Sequence, residues 1–418
     1  MRQTEMRTAL VVGAGIVGLT VAKALMDGGH AVRLVDPSAP GSGCSSGNSG
    51  ALSSGSVAPL AMPGLLRSTL PMLLDPAGPL YVPLRYWPRA ASWLWQFGRA
   101  AQPRRVAAIA DALHALLRGS VDHHAALARE VGCAELVRRT GQLHLYPDAQ
   151  AVGKDAAGWA LKQSHGLRLE ALDAGAIAEL EPAVDNRAYT AGYYLPDEGS
   201  VSDPLRYCQA IAAWLRQQGA VFETARIDRL QRLPRGWQAS AGERGWSADH
   251  VVICAGAWSA ELLRTLQIKA PLQTQRGYHL QYPEIDGLLS RVVVLADRKV
   301  FINPMLGGLR VGGTVEIDAL DEPPHLERAR RLEQHLQAGL RVPLKLGQPS
   351  SWMGHRPCMP DSMPVIGEVP GRAGLWCAFG HGHLGLTGSV NTARWIADAV
   401  AGKPLDAAAR HFSVARFA

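Results

Sequence analysis

The stretch Ala9-Leu-Val-Val-Gly-Ala-Gly-Ile-Val-Gly-Leu-Thr-Val-Ala-Lys-Ala-Leu-Met-Asp-Gly-Gly-His-Ala-Val-Arg-Leu-Val-Asp36 decides the fold. Ala9 to Val12 is an apolar run long enough for one buried strand. Gly13, Gly15 and Gly18 follow in the spacing G-x-G-x-x-G, and Ile16 and Val17 open Ala-rich helical sequence that runs to Met26. Asp27-Gly-Gly-His30 breaks the helix, and Ala31 to Val35 is a second apolar run ending in Asp36. The pattern is a βαβ unit closing round a dinucleotide. Gly13 makes the tight turn, Gly15 admits the pyrophosphate to the backbone, and Gly18 lets helix and strand pack closely. The phosphates sit on the helix N-terminus, where free N–H groups and the dipole favour anions. Asp36 stands where an acidic side chain reaches ribose hydroxyls. An ordinary glycine turn and a secretory signal peptide are the plainer readings. Polar and glycine residues interrupting the apolar run count against the second.

Composition bounds the rest. A chain of 418 residues, 47% hydrophobic, holds two domains or one large α/β domain with an insertion. The net charge of +7 comes from 43 Lys and Arg interleaved with 36 acids. That is general basicity with some attraction for anionic substrates or a membrane surface, and it does not point to nucleic acid. The six cysteines, Cys44, Cys133, Cys208, Cys254, Cys358 and Cys377, lie far apart with no CxxC. No disulfide framework or metal site is legible, and a reducing cytoplasm is the expected location, with peripheral contact at the inner face of a membrane left open. No stretch approaches the roughly 20 apolar residues that span a bilayer.

Downstream of Asp36, a Gly/Ser-rich loop runs to Gly55. Ser45, Ser46, Gly47 and Asn48, with Gly50 and Ala51 beyond, are expected to bring backbone N–H groups to a second region of the dinucleotide; a flexible linker is the alternative. Val57 to Arg105 is rich in Pro, Leu and aromatics and reads as a helical excursion packed on its own domain, a lid or docking patch being the alternative. The pattern predicts one helix over 106–131 and another over 148–180. Asp203 caps a helix that begins at Pro204. Val251 to Ser259 repeats the strand, small-residue turn and helix start, placing Ala255, Gly256 and Trp258 against the cofactor. Strands come next over 271–283 and 291–314. Gly380 to Gly388 is a last glycine turn entering a helix. Gly382, Leu384, Gly385, Leu386 and Thr387 are expected there at the cofactor, where helix N-terminal N–H groups stabilise negative charge.

Taken together, Gly13/Gly15/Gly18 with Asp36, the loop to Gly50, Cys254-Ala-Gly-Ala-Trp-Ser259, Gly354-His-Arg-Pro357 with Asp361 and Pro364-Val-Ile-Gly367, and Gly380-His-Gly-His-Leu-Gly385 resemble the D-amino-acid oxidase superfamily of flavoproteins. The likeness is greatest to D-amino-acid dehydrogenases of the small-subunit type and their D-hydroxyproline-oxidising relatives. It implies an α/β fold: a Rossmann-type FAD-binding domain from discontinuous segments (1–56, 147–265 and 350–418) and a mixed-sheet α+β substrate domain (57–146 and 266–349). It implies FAD held without a covalent bond, Cys358 being out of register with the flavin-linking cysteine of sarcosine-oxidase relatives.

For the site, the resemblance makes Arg356 the clamp for the substrate carboxylate, a task suited to a planar guanidinium. Tyr278 and Phe301 line the pocket and His383 faces the substrate, each with a packed core residue as its alternative. His279 and His355 are weaker candidates. The implied reaction is hydride transfer from Cα of a D-amino acid to flavin N5. Cis-4-hydroxy-D-proline or D-proline, giving a Δ1-pyrroline-2-carboxylate, is the favoured substrate, on the likeness of the Arg85-to-Leu94 segment to hydroxyproline-pathway relatives. Electrons pass to a non-oxygen acceptor such as a quinone or respiratory chain. A glycine- or sarcosine-type oxidase using oxygen, and a non-catalytic FAD-carrying subunit of a membrane-associated complex, are the alternatives.

Overall fold

The computed structural model describes residues 6–64, 78–344 and 346–418. The Ala9–Asp36 unit forms as its sequence requires. Strand Thr8–Val12 pairs in parallel with Ala31–Asp36 on one side and His250–Ile253 on the other. The six-stranded sheet continues through Val221–Thr224 at one edge and through Leu375–Phe379 and antiparallel Val365–Glu368 at the other. Both faces are covered at the centre of the sheet, which is why Thr8–Val12, His250–Ile253 and Leu375–Phe379 are largely apolar runs with no alternation. Ala9, Val11, Leu34 and Val252 pack under the helices Ile16–Asp27, Pro204–Gln217 and Gly385–Val400. Leu10, Val12, Val251 and Ile253 pack under the antiparallel meander Arg229–Arg232, Trp237–Ala241 and Arg244–Ala248.

The second sheet has nine strands. Its main order is Ser350–Cys358, Gln273–Tyr282, Gly308–Ile317, Val300–Met305, Val292–Leu295, Gln142–Tyr146, Ala191–Leu195 and Glu170–Asp173, with Leu80–Tyr81 pairing alongside Gly308–Ile317. Helix Glu327–Ala338 covers one face over Tyr278, Leu280, Val300, Ile302 and Val311. The opposite face carries Gly277, His279, Phe301 and Asn303 and looks toward the 44–50 loop; there Asn303 Nδ2 donates to Ser49 O at 2.6 Å. Ala191–Leu195, Glu170–Asp173 and Ser350–Cys358 all belong to this sheet, so the expected boundaries at 147 and 350 run through it and need redrawing.

Two expected helices are broken. The 106–131 helix becomes Pro103–Leu117 and Ser120–Glu130, divided at Gly119 with φ 69°. The 148–180 helix becomes Ala149–Lys154, Ala156–Ser164 and Ala174–Leu180, with the strand Glu170–Asp173 between the last two. Gly166, at φ 85°, ends the middle helix, and the edge of the large sheet recruits the segment after it. The aromatic excursion contains helix Trp87–Ala100, which buries Ala90 and Trp93 against Val82, Ile317 and Cys358; residues 65–77 lie outside the described residues. No helix of the described residues is long and apolar enough to cross a membrane.

Candidate functional site

A cavity of about 640 Å³ is lined by the Gly13 turn and by His355 and Leu386, among others. Of the residues expected at the cofactor, Gly13, Gly15, Ile16, Val17, Asp36, Ser45, Asn48, Ala255, Gly256, Trp258, Gly382, Gly385 and Leu386 line it. Gly13 has φ 110°, and a Cβ there would lie 2.4 Å from Cys254 O. Gly18 does its work outside the cavity: a Cβ would lie 1.9 Å from Gly13 O, so helix and turn touch only because both positions are bare. Ser45 Oγ accepts from Ile16 N at 2.9 Å, tying the second loop to the helix N-terminus. Asp36 accepts from Ala14 N at 2.7 Å and Ser38 N at 2.8 Å, while burial pushes its carboxyl upward.

An elongated dinucleotide fits these residues. The first turns of Ile16–Asp27 and Gly385–Val400 carry no acidic side chain, so both helix N-termini, which line the cavity, are free to meet anionic groups.

The other expected cofactor residues serve the walls. Ser46 Oγ donates to Gly43 O at 2.9 Å and faces outward. Gly47 lies under the Trp352 ring, and Gly50 abuts Val201 O and the Asn303 amide. Ala51 pairs with Ser200 in a short strand. Leu384 is 5% exposed in the core, and Thr387 Oγ1 accepts from Ser53 N at 3.2 Å.

Arg356 is on the edge strand Ser350–Cys358, opposite Gln275. Its half-buried guanidinium lies across Gly277, where a Cβ would be 2.2 Å from Cζ. Its hydrogen bond to Thr314 O is long, at 3.4 Å, and among the described residues it has no carboxylate partner. The Arg356 charge bears on Cys44, Cys358, His279 and His383. His383 follows Gly382, which lines the cavity, and keeps an open surface; desolvation first, then the Arg356 and Lys162 charges, push its imidazole down to about 4. Phe301 shares the sheet face with His279 and Asn303 and is half-buried.

Tyr278 is a correction. It is 1% exposed on the far face of the sheet, and its hydroxyl donates to Glu316 Oε2 at 2.5 Å. Side chains alternate across a strand, so its neighbours Gly277 and His279 face the site instead. His279 stacks on Trp352, with centroids 5.0 Å apart, and its Nδ1 donates to Gly47 O at 3.1 Å. Desolvation pushes His279 down to about 3. His355 lines the cavity beside Trp258, its imidazole pushed down to about 4, again chiefly by desolvation.

Several contributors carry no local sequence signal. Trp352 roofs Gly47 and Gly354, and Arg310 donates to Ser46 O at 3.0 Å and Asn48 O at 2.5 Å. Glu198 takes Ser54 N and Gly55 N at 2.6 and 2.7 Å, and His124 bonds Leu386 O at 2.8 Å. Cys358 is 3% exposed, and burial pushes its thiol up to about 12. No metal-binding cluster occurs among the described residues.

Comparison with known proteins matches residues 8–399 to the family described as FAD dependent oxidoreductase. A protein from Bradyrhizobium diazoefficiens named D-amino-acid oxidase is 35% identical, over 99% of each chain. One from Sinorhizobium medicae named D-amino acid dehydrogenase is 31% identical, over 98% of this chain and 99% of its own. Glycine oxidase from Geobacillus kaustophilus superimposes with a TM-score of 0.78 at 21% identity, covering 98% of this chain and 99% of that one. L-proline dehydrogenase from P. horikoshii gives 0.76 at 18%, covering 99% and 98%. Those two show a shared fold. The glycine turns, the doubly covered sheet and the matched length agree: this chain belongs to the FAD dependent oxidoreductase family, with FAD as its cofactor.

Proposed function

We propose that the chain is a dehydrogenase that oxidises D-amino acids at Cα, with cis-4-hydroxy-D-proline or D-proline as substrate and FAD held without a covalent bond. The observation that carries this is Arg356: a half-buried guanidinium laid over Gly277, with no carboxylate partner among the described residues, its charge bearing on His383. Such a group stands ready for a ligand carboxylate, which it grips bidentately. A relay subunit has no use for it.

When bound, FAD supplies the hydride acceptor. The chain's own part is positioning. Arg356 fixes the carboxylate and with it the direction of the Cα–H bond, and a well-oriented reactant accounts for much of a rate enhancement. His383, held neutral, does not repel the substrate's amino group and offers a nitrogen lone pair to its N–H. The fully buried Cys358 thiol is unsuited to a flavin link. The D-amino acid class draws on the relatives' names, and the proline ring on the Arg85–Leu94 likeness alone.

The relative from Bradyrhizobium diazoefficiens is called an oxidase, which supports a second reading with oxygen as the acceptor. Turnover with D-proline under air decides the matter: stoichiometric hydrogen peroxide favours the oxidase, whereas turnover that needs an added quinone favours the dehydrogenase.

A further inference from the structure

A second cation stands near His383. Lys162 lies on helix Ala156–Ser164, with Nζ 4.2 Å above the Trp159 ring. Among the described residues no carboxylate comes within ion-pair distance of it, whereas Lys23, Lys299 and Lys403 each hold an acid. The acids around it are engaged elsewhere. Glu198 grips Ser54 and Gly55, and Asp155 accepts from the Tyr146 hydroxyl and pairs with Lys299 at 3.7 Å. Lys162 is part-buried, and its charge bears on the His383 imidazole; desolvation is the largest influence on it and lowers its pKa.

The surroundings place it at the site. Trp159 meets His144 edge-on at 5.1 Å. His144 shares a row of the sheet with Val294 and Phe301, the face that carries the candidate pocket. From the other side, Thr387 holds Ser53, and the next two residues are held by Glu198. Lys162 thus stands where the 53–55 segment and the His383 turn close on the sheet. A part-buried ammonium without an acid is costly, and a tryptophan face compensates only in part. The arrangement makes sense if the acceptor arrives with the substrate.

We propose that Lys162 reads the substrate's side chain, its Nζ donating a hydrogen bond to an oxygen carried beyond Cα while Arg356 holds the α-carboxylate. The ligand class is a D-amino acid with a hydroxyl or carboxylate on its side chain. In the cyclic case this is the C4 hydroxyl of cis-4-hydroxy-D-proline, and that case rests on the function proposed above.

The test is kcat/KM for two pairs that differ only in the distal oxygen group, cis-4-hydroxy-D-proline against D-proline and D-glutamate against D-norvaline, in the FAD-loaded native protein and in Lys162→Met. The native protein should prefer the oxygenated member of at least one pair by about tenfold or more, as expected for a hydrogen bond to a charged donor. Lys162→Met should erase that preference and leave the hydrocarbon member within about threefold. Equal loss for both members, at full FAD content, would overturn the proposal, as would unchanged discrimination with slower reoxidation by oxygen. Oxidation of the open-chain pair alone would reject the proline assignment and still test Lys162. No oxidation of any of the four would overturn both.

Discussion

Replacing Gly277 by Ala separates the carboxylate clamp from the fold that carries it. The new Cβ would stand 2.2 Å from Arg356 Cζ, 2.3 Å from Nη2 and 2.6 Å from Nη1. Carbon atoms rest about 3.5–4.0 Å apart, so the guanidinium must retreat by more than about 1 Å. Its flexible stem makes that retreat cheap. Gly277 is not in the left-handed region, so the alanine also removes chain entropy from the unfolded state, worth about 0.4–1 kcal/mol. The melting temperature should therefore hold or rise slightly. Catalysis should not survive as well: a misplacement of about 1 Å in a positioning group costs on the order of 100-fold. The assay is steady-state kcat/KM with a D-amino acid, beside FAD content, melting temperature and the flavin spectral shift caused by a simple carboxylate inhibitor. We expect a fall of about 30- to 100-fold in kcat/KM, a parallel weakening of the inhibitor and unchanged FAD content. A kcat/KM within about threefold of native would refute the reasoning, because the clamp would then tolerate the move that the geometry demands.

Three further outcomes rest on the same geometry. Gly13→Ala combines a φ of 110° with a Cβ 2.4 Å from Cys254 O, backbone that cannot yield, so the protein should lose FAD or fail to fold; a variant holding one FAD per chain at native melting temperature would contradict the close approach. His279, His355 and His383 are held down to about 3, 4 and 4, each chiefly by desolvation. The pH profile of kcat/KM between about pH 5 and 8 should then rise only with loss of the substrate's amino proton, and an inflection near pH 6.5 that vanishes in His383→Gln would show that this histidine titrates in the ordinary range. His124, fully buried and held down to about 4 by desolvation, is neutral in the fold and protonatable when unfolded, so its contribution is complete above about pH 6.5 and is lost as pH falls toward 4. At about 1.4 kcal/mol per unit this amounts to roughly 3 kcal/mol. Denaturant midpoints for native and His124→Gln should converge at low pH, and parallel curves would count against the assignment.

The cofactor half was the more legible in sequence because its physics is local. Gly13, Gly18 and Asp36 act within one βαβ unit, and backbone contact by small residues leaves a mark in the residue types themselves. The substrate half depends on which face of a strand a side chain takes. Around Tyr278 the run Gln275-Arg-Gly-Tyr-His279 shows no apolar–polar alternation, so its register was invisible, and the bulge between Gly277 and Tyr278 hid it further. Lys162, Glu198 and Trp352 come from separate segments and reach their places only through the fold. The broken 148–180 helix has the same origin: Glu170–Asp173 is a strand because Ala191–Leu195 is there to pair with it.

The central claim, a D-amino acid held by Arg356 for oxidation by FAD, is tested most directly by anaerobic reduction of the bound flavin. The account predicts that cis-4-hydroxy-D-proline or D-proline bleaches the flavin of the native protein, that the L-enantiomers do not, and that Arg356→Ala binds FAD normally yet stays yellow at the same substrate concentration. Bleaching that persists unchanged in Arg356→Ala, or a native flavin that no D-amino acid reduces, would contradict it.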